Sequence, residues 1–261
     1  MKRTLIDPKS IEIPTPFGHF FENARVFDSS CSPEARVYYI EKGNGYYLKV
    51  APRGALLREA EMTRYFHGKG LAAEVVEYLS FDKDYLLTAR VSGEDCTHAD
   101  HLAEPERLCD LLATKLRELH ETSYADCPVQ DRMTEYLQTV DRNYERGVFD
   151  ASYLPTHLRH LSALDAHRLV AENRHRLQND TLLHGDYCLP NVMLDDWRLS
   201  AFIDLGNGGV GDRHIDLFWG VWTLEFNLKT PRYGSRFLDA YGRDRVDGDL
   251  LTVIAAAECF G

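Results

Sequence analysis

The chain has 261 residues, 44% of them hydrophobic, enough for one large domain or two modest lobes with their own cores. Its formal charge of -11 at pH 7 argues against a nucleic-acid partner, because phosphate binding needs an excess of Lys and Arg on one face. The basic start MKRTLIDPKSIEIP develops no apolar signal segment, and the terminal run LLTVIAAAECF falls short of the ~20 residues of a membrane span, so a cytoplasmic protein with no membrane partner is expected.

Six cysteines are scattered without a C-x-x-C pair, which reads as reduced, buried thiols. The charge is uneven: residues 1–91 hold 13 basic against 12 acidic side chains, and residues 92–261 hold 17 against 29. That asymmetry suits an anion handled by the first part and a cation by the second, although a solvated acidic surface gives the same counts.

In chain order, EARVYYIEKGNGYYLKVAP is a β-hairpin turning at Lys42 to Gly45. RGALLREAEMTRYFHGKG carries Leu56, Leu57, Ala60 and Phe66 near helical spacing and stops at Gly68 and Gly70. VVEYLSFDKDYLLTARV predicts a second hairpin turning at Asp82 to Asp84, so the first part reads strand, strand, helix, strand, strand. After the polar stretch SGEDCTHAD the texture becomes helical, beginning with an amphipathic helix that has Pro105 in its first turn. Helices are also expected over 132–146, 165–177, 212–228, 234–241 and 250–260, with short strands VML and LSAFIDL flanking the turn DDWR. The expected domains are therefore 1–91 and 92–261.

Two acidic turns carry the chemistry. In LLHGDYCLPNVML, Asp186 follows His184-Gly185 and precedes Asn191; in AFIDLGNGGVG, Asp204 ends a strand. Phosphoryl transfer needs a base for the incoming hydroxyl and oxygen ligands for a divalent ion on the triphosphate, and the protein-kinase pattern H-R-D-x-x-x-x-N followed by D-F-G has this spacing. Taken singly, each Asp or Asn is as readily a turn former. The string G-x-G-x-x-G at Gly206 to Gly211 has the form of a dinucleotide-binding fingerprint, but no second parallel strand ending in an acid follows its helix.

The two segments resemble the signatures of aminoglycoside phosphotransferases acting at the 3'-hydroxyl, which carry HGD-x-x-x-x-N and then IDLG or IDCG; LLTARVSGEDC and LRELHETSYADCP resemble that family's interlobe connector and first large-lobe helix. The resemblance implies an α+β, two-lobed, protein-kinase-like fold, with a small antiparallel β-sheet lobe and a larger, mainly helical lobe. It implies ATP or GTP and Mg²⁺ as cofactors, Asp186 as general base, Asn191 and Asp204 as metal ligands, and Asp216 as a brace for the catalytic loop. Lys49 with its partner Glu59 would hold the phosphates, Tyr47 would stack on the base, and the backbone of Ala89 and Val91 would read its edge. DSSCSPEARVYY resembles the family's nucleotide-positioning loop and makes Ser32 a phosphate contact.

Only twelve positions separate Asp204 from Asp216, which leaves no room for a peptide-binding activation segment and points to a small-molecule acceptor. By resemblance, Glu258 and Phe260 at the chain end would face a cationic sugar, with Asp150 and Glu225 as further carboxylates. Much of the family's acidic loop is replaced in GVFDASYLPTHL, and Trp222 and Phe226 stand where the family shows Arg and an acid. An acceptor of lower charge, or an amine held by cation-π contact with Trp219, Trp222 or Phe226, fits this pattern as well. The expected function is phosphorylation of a small amine-bearing molecule, an aminoglycoside first. The rivals are a kinase for another amino alcohol, sugar or antibiotic, and a kinase-like nucleotide-binding protein without turnover.

Overall fold

The computed structural model describes residues 3–31 and 33–261; Ser32 lies outside the described residues. In chain order the strands are β1 (Thr4–Ile6), β2 (Arg25–Asp28), β3 (Arg36–Glu41), β4 (Tyr46–Pro52), β5 (Val75–Ser80), β6 (Lys83–Ala89), β7 (Glu94–Asp95), β8 (Thr181–Leu183), β9 (Val192–Asp195), β10 (Arg198–Phe202) and β11 (Gly209–Gly211). The helices are α1 (Gly18–Phe21), α2 (Leu57–Gly68), α3 (Ala99–Leu102), α4 (Pro105–His120), α5 (Arg132–Glu145), α6 (Ala163–Asn173), α7 (His214–Leu228), α8 (Arg232–Gly242) and α9 (Gly248–Glu258). Contacts group these into two compact units: Met1–His98 with Pro190–Asn207, and Ala99–Leu189 with Gly208–Gly261. A single cut after Val91 therefore differs from the observed grouping. The physical reason is the pairing of β7 with β9, which knits the 192–202 hairpin to the end of the first segment.

The first unit is built on a six-stranded antiparallel sheet in the order β1-β2-β3-β4-β6-β5. The Lys-Gly-Asn-Gly hairpin is present, with Ile40 opposite Tyr46 across its turn. The second hairpin turns at Phe81 and Asp82, one step earlier than expected: Asp84 lies within β6, where its buried carboxylate accepts from the Leu56 N–H and the Ser80 hydroxyl. Period-two alternation along β4 decides what each face does. Tyr46, Leu48 and Val50 pack with Phe17, Val26, Ile40 and Leu87 in one core. Tyr47 and Lys49 are thereby turned to the opposite face, where Leu56, just before α2, and Ala60 within it cover Ala51 and Leu86. Strands β1 and β2 escape the sequence reading because each is short and only Val26 is fully buried, so neither shows a sustained alternation.

The second unit is mainly helical. Helix α4 buries Leu108, Leu112, Leu116 and Leu119, a stripe at helical spacing, and packs on α7 and α8. One core joins Val140, Leu154, Val170, Ala256 and Phe260; another joins Met133, Leu183, Ile215, Phe218 and Ile254. The ribbon β8-β11 crosses this unit. Gly209 and Gly211 belong to it for packing: a Cβ at either would stand 2.7 Å from Val129 or Leu183 side-chain atoms. Among the described residues no helix is long and apolar enough to cross a membrane, and all six cysteines are free thiols.

The pairing of β7 with β9 rests on one glycine. Gly93 has φ +84, and a Cβ there would sit 1.9 Å from the Leu194 carbonyl oxygen, a backbone atom that cannot yield cheaply. Gly93→Ala should cost about 2 kcal/mol or more of unfolding free energy in urea, and a change below about 0.5 kcal/mol would contradict this account of the connector.

Candidate phosphotransfer site

The nucleotide-side residues expected from the sequence line one cavity of about 270 Å³ in the first unit: Tyr47, Lys49, Glu59, Ala89, Val91, Asn191 and Asp204. Its centre is an ion triad. Lys49 Nζ donates to Glu59 Oε2 at 2.7 Å and to Asp204 Oδ1 at 2.8 Å. Burial alone would pull the Lys49 ammonium down, but the two carboxylates outweigh it and hold it at about 12. Burial pushes Glu59 up while Lys49 opposes, and the short bond to a firmly charged ammonium keeps it the anionic partner.

Each member arrives by a local rule. Alternation on β4 presents Lys49; Glu59 lies in the first turn of α2, beside buried Ala60, one turn before Met62 and Thr63 and two turns before Phe66. Asp204 follows β10 with φ 59, a left-handed conformation that a non-glycine residue adopts only when its surroundings compel it. Those surroundings include the edge-on contact of Phe202 with Phe66 and the Ile203 N–H donating to the Asn191 carbonyl. Asp204 and Asn191 thus line the same cavity as hard oxygen donors. Among the described residues no three His, Cys, Asp or Glu side chains form a cage of their own. Such a pair fits Mg²⁺, which keeps few protein ligands and takes the rest from phosphates and water.

Two cavity residues were not foreseen. Arg3 lays its guanidinium 3.8 Å from the Tyr39 ring centroid and donates to the Tyr47 hydroxyl at 2.5 Å, fixing the ring expected to stack on a base. Ser29 lines the cavity with a buried hydroxyl that has no hydrogen-bond partner among the described residues. Only proximity in the fold reveals Arg3. Ser29 sits in the loop flagged by resemblance, three residues before Ser32.

In the second unit Asp186 is half-buried in a braced loop. The fully buried Asp216 carboxylate accepts from the backbone N–H groups of His184 at 2.7 Å and Gly185 at 2.8 Å, as expected, and meets His120 Nε2 at 3.2 Å. Burial pulls His120 down against the pull of Asp216, and its other nitrogen bonds the Tyr241 hydroxyl. The Asp186 N–H donates to His184 Nδ1, so His184 orients the loop. Burial, with Asp186 alongside, also pushes the Cys188 thiol up and keeps it protonated.

The acceptor-side expectations divide. Glu258 is buried, accepts from the Tyr136 hydroxyl at 2.8 Å and feels the charge of Asp186. Phe260 is a correction: it is fully buried against Phe149, Tyr144 and His167, completing a core in place of facing a sugar. Asp150 is exposed, but its carboxylate accepts from Ser152 N–H as a turn cap, while its own N–H donates to the Cys259 carbonyl and ties this loop to the chain end. Glu225 is exposed on α7. The cation-π slot expected at Phe226 already holds Lys229, whose Nζ lies 4.1 Å from the ring centroid.

Burial pushes the Glu258 carboxyl from 4.5 to about 7, with the Tyr136 bond opposing and Asp186 reinforcing. A folded value above the unfolded one favours the protonated native state, a contribution whole below the unfolded value and lost as pH rises through the folded one. Urea unfolding between about pH 5 and about pH 8 should therefore show stability falling more steeply in the wild type than in Glu258→Gln, and parallel profiles would contradict the assignment.

Comparison with known proteins agrees with this geometry. The pattern of the phosphotransferase enzyme family matches residues 33–251. The chain is 46% identical over 252 residues to a Lactococcus lactis protein named "Probable aminoglycoside 3'-phosphotransferase", covering 96% of this chain and 95% of that one. It is 32% identical over 223 residues to the aminoglycoside 3'-phosphotransferase of Streptomyces fradiae, covering 78% and 81%. Among solved structures, an aminoglycoside 3'-phosphotransferase of type VIII matches with a TM-score of 0.74 and 25% identity over 93% of this chain and all 100% of that one. An aminoglycoside phosphotransferase from Streptomyces rimosus, solved with ADP and streptomycin, shares the fold with a TM-score of 0.69 at 22% identity, covering 86% and 90%. The α+β, protein-kinase-like fold expected from the sequence is thus the one found, and the chain belongs to the phosphotransferase enzyme family as a kinase that transfers phosphate to a hydroxyl group.

Proposed function

We propose that the chain is a Mg²⁺-dependent O-phosphotransferase that moves the γ-phosphoryl group of ATP or GTP to a hydroxyl of a small amine-bearing molecule, with aminoglycosides as the substrate class. The observation that carries this reading is the triad of Lys49, Glu59 and Asp204, which lines one cavity together with Asn191. Support for the acceptor class comes from relatives named for aminoglycosides that match 96% and 78% of the chain.

In this reading Lys49 holds the α- and β-phosphates, with Glu59 keeping its ammonium in place, and Tyr47 stacks on the base while Arg3 fixes its ring. Asn191 and Asp204 would hold the divalent ion, which supplies charge neutralisation at the phosphates when bound. Asp186 accepts the proton of the attacking hydroxyl as its oxygen bonds the γ-phosphorus and the bond to the β-phosphate oxygen breaks. Asp216 keeps Asp186 aimed by pinning the backbone before it. Burial holds the Glu258 carboxyl near neutrality, and an arriving ammonium would favour its ionised form, the proton passing to solvent.

The loop GVFDASYLPTHL keeps Asp150 but replaces its other acids with Ser, Tyr, Pro and His, and Phe226 stands where the resembled family shows an acid, which favours another amino alcohol or sugar as the second reading. ADP release with a panel of aminoglycosides, amino sugars and amino alcohols separates the two. Asp186→Ala should lower kcat by roughly 10² to 10⁴ while leaving the nucleotide Kd within about threefold. Turnover by that variant near the wild-type rate would remove Asp186 from its role, and a wild type that turns over no member of the panel would sink the phosphotransfer reading.

A further inference from the structure

Three aromatic residues of α7, Trp219, Trp222 and Phe226, are spaced three and four apart and so share one face of the helix. Trp219 meets Trp222 nearly edge-on at 5.4 Å between centroids, and Trp222 stacks on Phe226 at 4.9 Å with planes only 9° apart. Tyr153 closes the inner end, 5.8 Å from Trp219 and 5.9 Å from Trp222. The inner end borders the expected reaction chemistry: Tyr153 feels the charges of Asp150, Glu258 and Asp186, and Glu258 accepts from the Tyr136 hydroxyl. The outer end is open, with Phe226 54% exposed.

The rings spend their faces on one another. Trp222 stacks on Phe226 and Lys229 lies over the same ring, its Nζ 4.1 Å from the centroid, set there by a left-handed backbone at the end of α7. What the strip offers to a ligand is therefore ring edge, which carries the positive end of the aromatic quadrupole, and beyond it a fixed ammonium. Glu225 precedes Phe226 by one residue and so points roughly 100° away around the helix. Negative charge gathers at the Glu258 end of the strip and positive charge at the Lys229 end.

We propose that this strip is a charge filter that sets acceptor specificity: it selects molecules whose ammonium groups cluster near the reacting hydroxyl and whose far portion is neutral, and it disfavours those with cationic groups along their whole length. The inference rests on the phosphotransfer reading for the direction in which the acceptor lies, and it names Phe226 and Lys229 as specificity-determining residues. Hydroxyl oxygens of a neutral sugar accept readily from ring edges and from Lys229, whereas a second ammonium there meets like charge.

The test compares the wild type with the double variant Phe226→Glu, Lys229→Ala, two exposed positions whose change leaves the core intact. Affinity for neomycin, a polyammonium acceptor, and for glucosamine, which has a single ammonium, is measured by calorimetry beside kcat and KM. The variant should bind neomycin roughly tenfold more tightly, the size expected of reversing exposed charge at close range, and the ratio of neomycin to glucosamine affinity should rise by about the same factor. The gain in neomycin affinity should also shrink as salt is raised. No gain for neomycin, or an equal gain for both acceptors, would overturn the filter. Binding that shifts as described without phosphate transfer by the wild type would uphold the filter and overturn only the phosphotransfer reading.

Discussion

One ammonium holds the cavity of the first unit together. Lys49 Nζ lies within 2.8 Å of both Glu59 and Asp204, residues 10 and 155 positions away in the chain, and most of the first unit serves to bring the three into reach. The alternation of β4 turns Lys49 away from the apolar core, α2 is packed against that same face, and the β9-β10 hairpin delivers Asp204 in a strained backbone conformation. Removing the ammonium would leave two carboxylates crowded in a partly buried site, so the arrangement is costly to break and well suited to accept further positive charge. A triphosphate with its cation supplies charges of both signs in such a place.

The second unit solves a related problem differently. Asp216 is wholly buried, yet its oxygens are met by two backbone N–H groups and by His120, so a carboxylate that would otherwise be expensive to bury becomes the clamp of the loop bearing Asp186. Glu258 is left with fewer donors: burial pushes its carboxyl up to about 7, so the group that would meet an ammonium is also the one whose charge such a ligand changes. The contrast between the two carboxylates follows from how many donors each is given.

Much of this was legible in the sequence for local reasons. The hairpin before Lys49, the amphipathic α4 and the helix bearing Glu59 follow from periodicity and turn residues, and the two acidic turns stand out because Asp and Asn at strand ends and tight turns leave a visible pattern. That Lys49 would meet Asp204 did not follow from spacing and came from the resemblance to a family. Arg3 was unreadable because β1 has three residues and gives no periodic signal. Phe260 was placed at the acceptor by the family resemblance, with completion of a core as the alternative, and the packing around Phe149 and Tyr144 gives the core. Asp150 was read as a free carboxylate because capping of Ser152 N–H depends on the local turn, which the sequence leaves open.

The charge balance around Lys49 makes the sharpest demand. Calorimetric titration of a non-hydrolysable ATP analogue, with and without Mg²⁺, into the wild type and Asp204→Asn measures it directly. The wild type should bind at least about tenfold more tightly with Mg²⁺ present, and the variant should lose that gain, since it keeps the shape of the side chain but not its charge. Equal Mg²⁺-dependent affinity in the two proteins would contradict the account of Asp204 and the triad built on it.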